Sequence, residues 1–500
     1  MTIAIRTDAS ASIGIGHVQR CLALAAALHD LGERVVFVCR DGHAPALAGV
    51  ARSAHALHLL PAADDRPVSA ERDARETVQA LGADRPNHVV VDHYSLDAEW
   101  HGRVSTAIKA PVAAIDDLAD RPLDVDLLID QNLHDDHRRK YAGKLSSRTQ
   151  LLGGPRFALL GPAYRAATPI ALHPRVDSIG IFLGGTDPGG LSAVALRACR
   201  EQAGFRGPIE VVSTSANPHL EALRTAVAAT PNTSLSLDLA DLADFFGRHG
   251  IQVGAGGGAS WERCCLGVPS LLLQVAANQA AVVPPLVSRG AAATLADGVA
   301  ATQTSIGGAL RALIDDTAGR LRIGERARSL VDGLGAERVA CALLRSRLSV
   351  VRAEAHDEGR MLAWRNHPVT RSVSHQGELI DAADHARWFT RVRADPARLL
   401  MVGHIGTRPV GVIRFDLDAR HQAEVSLYLD PALHGIGLGP ALLAAGEVAA
   451  RRWAEPAGFL ASVLPSNPAS ARLFTTAGYS GGGRWHKPAA DPDFHPEYPT

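Results

Sequence analysis

A short apolar strand at residues 3–5 runs into the loop Arg6-Thr7-Asp8-Ala9-Ser10-Ala11-Ser12-Ile13-Gly14-Ile15-Gly16, and a helical pattern begins near His17. Val18, Cys21, Leu22, Ala25 and Leu28 recur at helical spacing, and Gly32 stands where a helix commonly stops. This arrangement constrains the fold more than any other stretch. The first N–H groups of a helix have no partner within it, and its dipole is positive there, so the mouth of the turn suits an anion. Gly14 and Gly16 let backbone come close to a ligand. The loop is not the dinucleotide fingerprint, which needs a third glycine and an acid ending the second strand. Nor is it a P-loop, which needs Gly-Lys-Ser/Thr. Its distinguishing residue is His17, which either orients the helix start or does chemistry.

The first third of the chain continues the alternation. Apolar runs at 35–38, 88–91, 112–115 and 127–129 are separated by helical stretches. Such alternation predicts a parallel sheet covered on both faces, with ligands beyond the carboxyl ends of its strands. The polar residues at those ends are Asp92-His93-Tyr94, Asp116-Asp117 and Asp130-Gln131-Asn132. Each acid taken singly is an ordinary helix cap or turn former. The run His134-Asp135-Asp136-His137 is contiguous and cannot aim four side chains at one ion, so it reads as a solvated turn and no metal is expected. Residues 167–176 are richer in proline and read as a linker.

A second alternating region follows. Residues 179–183 end in Gly184-Gly185-Thr186-Asp187-Pro188, 209–213 is another strand, and 251–253 runs into Gly254-Ala255-Gly256-Gly257-Gly258-Ala259-Ser260-Trp261-Glu262. The glycines of that run leave backbone bare for phosphate, with a helix starting near Ser260. Glu262 in the first turn either complements the helix dipole or accepts hydrogen bonds from a ribose diol. Residues 271–275 then lead to Asn278-Gln279.

Near Leu344 the pattern changes. A short basic connector, 345–352, precedes a helix near 385–392 and consecutive antiparallel strands at 399–404, 410–415 and 424–429, with Gly406-Thr407-Arg408-Pro409 as a turn. Asp430-Pro431-Ala432-Leu433-His434-Gly435-Ile436-Gly437-Leu438-Gly439 then presents backbone amides at a helix start, fit for a pyrophosphate. Asn467-Pro468-Ala469-Ser470-Ala471-Arg472-Leu473-Phe474 follows, and the sequence after Gly481 reads as a loose tail.

Five hundred residues suggest about three domains at ~150 residues each. The formal net charge of -1 favours neither nucleic acid nor an anionic membrane surface. The six cysteines have no zinc or redox spacing and read as reduced thiols. The sequence opens on a strand rather than a signal peptide, and no apolar run is long enough to span a bilayer, so a cytoplasmic protein is expected.

The string from Arg6 to Leu22 resembles the N-terminal signature of the UDP-sugar hydrolase of pseudaminic acid biosynthesis. That family releases 2,4-diacetamido-2,4,6-trideoxy-altrose from UDP. The resemblance extends over about 345 residues and includes VDHYSLDAEW (91–100), IDDLADR (115–121), LLIDQN (127–132) and LLGGPRFALLGPAY (151–164), the last similar to the family's crossing segment between two lobes. It implies that His17 is the base that activates water and that Tyr94 faces the sugar. It also implies substrate-binding roles for Asp8, Gly14, Gly16, Asp92, Gly185, Gly256, Gly257, Ser260, Glu262, Asn278 and Gln279, with Glu262 on the ribose. The chain departs from the family at Gly250, where an aspartate is usual, and at Gly258-Ala259-Ser260, where a Ser/Thr-rich triplet is usual.

The last third resembles the GNAT N-acetyltransferases. WRNHPVTR (364–371) and the helix with His385 to Phe389 make it similar to the amino-sugar acetyltransferase of the same pathway. The resemblance implies acetyl-CoA as co-substrate, held by Leu429, His434, Gly435, Gly437, Gly439, Asn467 and Arg472, with Glu424 as candidate base. His434 stands where Arg or Gln is usual. Phe474 stands where many members have a tyrosine that protonates the departing thiolate, and phenylalanine has no proton to give.

The expected architecture is α/β. A GT-B type pair of doubly wound, Rossmann-like lobes (1–165 with the histidine, 175–345 with UDP) is followed by a GNAT α+β domain (350–485) with a mixed, mostly antiparallel sheet, and a tail (486–500). The expected partners are a UDP-sugar and acetyl-CoA, with the oligomeric state left open. The alternative reading is a UDP-sugar-dependent glycosyltransferase carrying an acetyl-CoA module that is regulatory or acts on another amine.

Overall fold

Alternate residues of the first strands are buried on opposite faces, and that pattern dictates a sheet covered twice. Ala4, Val36, Val38, Val89 and Val91 pack with Trp100 and Val104 on one side, while the intervening Ile3, Ile5, Val35, Phe37 and Val90 are buried as well. The computed structural model describes residues 1–8, 16–41, 44–62 and 68–488. Among them the strands β1 (Thr2–Thr7), β2 (Arg34–Arg40), β3 (Ala56–Leu60), β4 (His88–Asp92), β5 (Val112–Ile115), β6 (Leu127–Asp130) and β7 (Gln150–Gly153) form an all-parallel sheet in the order β3-β2-β1-β4-β5-β6-β7. The order reverses between β1 and β4, so a crevice opens beyond their carboxyl ends. The loop that precedes His17 follows β1, and Asp92 ends β4.

The second sheet repeats the design. Strands β8 (Ile179–Phe182), β9 (Ile209–Ser213), β10 (Thr233–Leu237), β11 (Ile251–Ala255), β12 (Ser270–Leu273) and β13 (Ala293–Thr294) run parallel in the order β10-β9-β8-β11-β12-β13. Here the reversal falls between β8 and β11, the two strands that feed the glycine turns. Ile179, Ile181, Ile251, Val253, Leu271 and Leu273 share a core with Ala195, Leu196 and Leu310. Residues of the crossing segment, Leu160 and Tyr164, pack with Phe245, Trp261 and Leu286 in a second core. Two Rossmann-like lobes of this kind make a GT-B type fold.

The chain divides into two compact units, and the second, from Arg338 onward, carries a different sheet. Strands β14 (Ser349–Arg352), β15 (Arg398–Ile405), β16 (Arg408–Leu417), β17 (Gln422–Leu429), β18 (Gly458–Ser462), β19 (Ser480–Gly482) and β20 (Arg484–Pro488) lie in the order β14-β15-β16-β17-β18-β20-β19. Pairing is antiparallel except between β17 and β18. The segment after Gly481 is therefore not a loose tail as far as Pro488. Gly481 and Gly483 take positive φ (134° and 81°), which turns the chain tightly, and β20 then pairs with β18. Residues 489–500 of the expected tail lie outside the described residues.

No helix among the described residues is long and apolar enough to cross a membrane.

One buried side chain of the first lobe makes stability depend on pH. His101, on helix Ala98–Ile108, is 1 % exposed, and both ring nitrogens lack a hydrogen-bond partner. Burial, aided by the Arg121 charge, lowers its pKa to about 4. An unfolded imidazole takes up its proton near ~6.5. Between these values the unfolded chain binds the extra proton, so this residue's contribution is complete above pH ~6.5 and is lost as pH falls toward 4. The loss amounts to about 3 kcal/mol at ~1.4 kcal/mol per pKa unit. Urea unfolding of the His101→Leu protein, followed across this range, is expected to lose most of that pH dependence.

Candidate active sites

The first site is built where β1 and β4 part. Register pairs Thr7 with Asp92, so the residues just after β1 and those ending β4 are neighbours. Helix Gly16–Asp30 starts there and brings His17 in its first turn. His17 Nδ1 lies 2.5 Å from Asp92 Oδ1, with the His17 side chain 8 % exposed and that of Asp92 fully buried. An ionised carboxylate only accepts, so Nδ1 carries a proton, and in the neutral ring Nε2 is the nitrogen left to accept one. Burial alone would raise the Asp92 carboxyl, but Arg20 and His17 outweigh it and hold Asp92 well below the usual carboxylate range.

Asp92 is thus turned inward behind the imidazole, not outward as the substrate contact expected of it. Arg20 holds it with Nε on Oδ2 and Nη2 on Oδ1, both at 2.6 Å. Arg20 was not singled out in the sequence. The signal was available: it lies three residues after His17, the spacing that shares a helix face, in an otherwise apolar pattern. The Tyr94 hydroxyl donates to Asp117 Oδ1 at 2.9 Å, and its ring meets the His17 ring edge-on at 4.6 Å. Burial pushes the Tyr94 hydroxyl out of its ordinary range, which keeps it protonated at neutral pH.

Asp8 belongs to a neighbouring cluster. It accepts from the Arg6 guanidinium and from the Arg40 backbone N–H at 2.7 Å, and lies 3.3 Å from His93 Nε2. Burial opposes its ionisation, but His93 and Arg6 prevail and keep it a carboxylate. Gly16 is exposed, and a Cβ there would meet no atom of the described residues within 4 Å. Gly14 lies outside the described residues.

The second switch point offers two helix starts, and they differ. The helix after β8, Leu191–Arg197, has its first N–H groups filled by the Asp187 carboxylate, which accepts from Leu191 and Ser192 at 3.0 and 2.8 Å. The helix after β11, Ala259–Leu266, begins at Gly258 with no side-chain cap. A Cβ at Gly257 or Gly258 would meet nothing within 4 Å. Gly256 is different, because a Cβ there would stand 2.1 Å from Val283 Cγ2. Gln279 Oε1 pins this turn by accepting from Val275 N and Gly256 N at 2.8 and 3.3 Å. Gly256→Ala is expected to destabilise the lobe by about 1–3 kcal/mol through overpacking. Gly257→Ala, with nothing in its way, should leave thermal unfolding nearly unchanged.

Glu262 Oε2 is buried without a hydrogen-bond partner. Burial raises its pKa above the ordinary value, against the pull of the neighbouring Tyr164 hydroxyl and Arg263. A buried acceptor left unsatisfied costs about 1–3 kcal/mol, which a donor arriving with a ligand recovers. Ser260 is 1 % exposed with its hydroxyl toward Arg263, on the buried side of the turn. Asn278 is exposed on the short helix Ala277–Ala281. Gly185 lies beside Thr214, whose hydroxyl donates to the Gly185 carbonyl at 2.7 Å. His137, of the His/Asp run, turns Nε2 to the Asn132 carbonyl at 3.0 Å, and the described residues hold no cluster placed to bind a metal.

The third site lies in the mixed sheet. β17 pairs with β18 from Gln422↔Gly458 to Val425↔Ala461, yet β17 continues to Leu429 while β18 ends at Ser462. The strands part there. A cavity of about 590 Å³ lies against them, lined among others by Arg365, Trp388, Arg414, Asp416, Glu424 and Phe474. Glu424 Oε1 accepts from Ser462 Oγ at 3.0 Å, and Asp416 is its partner on β16. Arg365, Trp388 and Arg414 were not predicted as cavity residues.

Beyond Leu429 the turn reaches helix Leu438–Ala454, capped by Gly437 with no side-chain hydrogen bond. Gly435 and Gly437 have φ of 79° and 85°, which glycine adopts without strain. His434 is half-buried and Gly439 buried. Asn467 caps helix Pro468–Thr476 by accepting from Ser470 N at 3.0 Å, Arg472 is exposed, and Phe474 is buried edge-on to Tyr479. The Tyr479 hydroxyl is committed to Glu447 at 2.9 Å.

Residues 360–479 match the Acetyltransferase (GNAT) family. The mixed sheet is a GNAT-type domain. The chain is also similar to the spore coat polysaccharide biosynthesis protein SpsG of Bacillus subtilis (strain 168), 24% identical over 345 residues, which cover 69% of this chain and 98% of that protein. Among solved structures it is similar to MurG of Acinetobacter baumannii (TM-score 0.48, 14% identity, 69% of this chain and 99% of that one). The spermidine N-acetyltransferase of Vibrio cholerae in complex with CoA and spermine is another (TM-score 0.26, 14% identity, 28% of this chain and 93% of that one). The chain therefore joins a GT-B type part, related to a polysaccharide-biosynthesis protein, to a GNAT domain.

Proposed function

We propose that this is a bifunctional nucleotide-sugar enzyme. In this reading the GNAT domain transfers an acetyl group to the 4-amine of a UDP-4-amino-4,6-dideoxy-2-acetamido-altrose. The GT-B part then hydrolyses the product, UDP-2,4-diacetamido-2,4,6-trideoxy-β-L-altropyranose, to UDP and free sugar. The observation that carries the hydrolase is the Asp92–His17 pair, which engages Nδ1 and leaves Nε2 as the ring's free nitrogen at the first switch point. The resemblance of the first 345 residues to the pseudaminic acid hydrolases supplies the substrate.

One base suffices for this chemistry. Glycosidases pair two carboxyl groups because an alkoxide leaving group must be protonated. UDP leaves as a stabilised diphosphate and needs its charge held, not a proton. The uncapped start of helix Ala259–Leu266 suits the diphosphate, and Glu262 Oε2 suits a ribose hydroxyl. His17 Nε2 takes a proton from water as the water oxygen attacks the anomeric carbon. The C1–O bond breaks and configuration inverts.

In the acetyltransferase site, the Gly435–Gly439 turn would hold the pyrophosphate of acetyl-CoA, and the free edge of β17 up to Leu429 would pair with its pantetheine arm. Acetyl-CoA supplies the acetyl group. Glu424, facing the cavity, accepts the proton that the amine loses. Phe474 takes no part in proton transfer, so the thiolate departs without help from that position.

Mass spectrometry of products from the UDP-amino sugar, with and without acetyl-CoA, tests both halves. Free diacetamido sugar is expected only when acetyl-CoA is present. Release of UDP without any added acceptor separates a hydrolase from a glycosyltransferase. In water carrying heavy oxygen, the label should enter the sugar; label in UDP would exclude attack at carbon.

A further inference from the structure

The imidazole is held by a closed ring of side chains rather than by a carboxylate alone. Asp92 Oδ1 faces His17 Nδ1 at 2.5 Å, and Arg20 grips both Asp92 oxygens at 2.6 Å. The second arm of Arg20, Nη1, reaches Asp117 Oδ2 at 3.4 Å. Asp117 Oδ1 accepts from Tyr94, and the Tyr94 ring returns to the edge of His17. Arg20 is the member that ties the support beneath Nδ1 to the support beside the ring.

From this geometry we infer that Arg20 is a positioning residue for His17, balancing the Asp92 charge so that the imidazole rests neutral with Nε2 presented to water. The inference rests on the reading of His17 as a hydrolytic base. A buried carboxylate beside an imidazole draws a second proton onto the ring, and an imidazolium has no lone pair for water. Arg20 counters this in two ways. Its charge compensates Asp92, whose side chain has no exposure with which to recruit counter-charge from solvent. Its Nη2 also stands 3.2 Å from His17 Nδ1, where a second positive charge on the ring would be repelled. The bidentate grip fixes the carboxylate plane as well, leaving Oδ1 aimed at one ring nitrogen. Among the described residues, the other charged or titratable groups around this ring include Tyr94 and Asp117 from the first lobe's strand ends, Lys140, which donates to the Asp117 carbonyl at 2.8 Å, and Cys21 from the same helix, whose thiol lies 3.6 Å from Asp92 Oδ2. The Asp8–His93 pair lies beyond them. Burial, reinforced by Asp92, raises the Cys21 thiol well above its ordinary value, so it adds no charge.

The test uses the full chain with Arg20→Gln, Arg20→Lys and Asp117→Asn. The imidazole of His17 is titrated by nitrogen-15 NMR, assigned with His17→Gln, alongside the pH profile of UDP release. Arg20→Gln is expected to raise the His17 midpoint by about one unit, since each unit is tenfold in protonation. The acid limb of UDP release should move up by the same amount, giving a loss that approaches tenfold on the acid side of both midpoints and vanishes on the alkaline side. Arg20→Lys, which restores charge without the fork, should recover at least half of the shift. Asp117→Asn frees the Arg20 charge from its second partner and should move the midpoint the other way. It carries the test if Arg20→Gln does not fold. A uniform loss at all pH values with an unmoved His17 midpoint would overturn the inference and leave Arg20 a structural residue. If the wild type releases no UDP, the hydrolase reading fails on its own, while the NMR midpoints still decide the role of Arg20.

Discussion

Replacing His17 by glutamine is expected to lower the proposed UDP release by about 10³, within the 10²–10⁴ that a positioned general base contributes. The fall should appear in kcat, with UDP affinity within twofold, because His17 and the glycine turn after β11 belong to different lobes. Asp92→Asn should cost a comparable factor by another route. A carboxylate forces the ring proton onto Nδ1, whereas a carboxamide can turn its NH₂ toward Nδ1 and push the proton to Nε2, the nitrogen that must be bare. That variant also leaves the buried Arg20 guanidinium without its main partner, so its unfolding temperature should fall while that of His17→Gln hardly moves. The two substitutions together should cost little more than either alone, since they disable one unit. Stopped assays of UDP release, UDP binding by calorimetry and thermal unfolding of each variant check these statements. Full activity in correctly folded His17→Gln would remove the base from the mechanism.

The places where sequence reading succeeded and failed around this histidine have physical reasons. The first strand and the helix start announce themselves because their periodicity is local. So do the runs that became β2, β4, β5 and β6, each a nearly unbroken apolar stretch buried on both faces. β3, with a half-buried pattern, and β10, alternating Thr and Ser with Leu, carry no such run and were not predicted. The hairpin of β19 and β20 was hidden by its glycines, which read as looseness although two of them make its turn. Asp92 was legible as a strand-end acid, but its direction was not. Whether such a carboxylate faces substrate or turns inward depends on what stands beside it, and Arg20 lies 72 residues away in sequence. Glu262 posed the same ambiguity between dipole partner and ligand acceptor. Its unsatisfied Oε2, visible only once Tyr164 and Arg263 are in place, is what favours the second.

Glu424→Gln is expected to lower acetyl transfer to the UDP-amino sugar by about 10², the low end for a general base, because this residue is open to solvent and water can replace it in part. The amine reaches the domain largely as an ammonium and must shed a proton before or during attack on the thioester. Three carboxylates line the cavity: Asp384, already paired with Arg387 on its own helix, Glu424 and, directly across the antiparallel pair from Glu424, Asp416. They are not equivalent. Asp416 is paired with Arg414 at 2.8 Å, so its charge is already spent. Glu424 accepts a single hydrogen bond from Ser462, which aims one oxygen and leaves the other for the amine. Asp416→Asn should therefore cost less than fivefold. The KM for acetyl-CoA should stay within twofold in both variants, since the glycine turn that would hold it lies at the far end of β17. UDP release from pre-acetylated substrate should not change. Thiol release followed with a disulfide reagent measures the transfer directly. Equal losses in the two variants would mean that the carboxylates only attract the ammonium, and the proton would then leave to water.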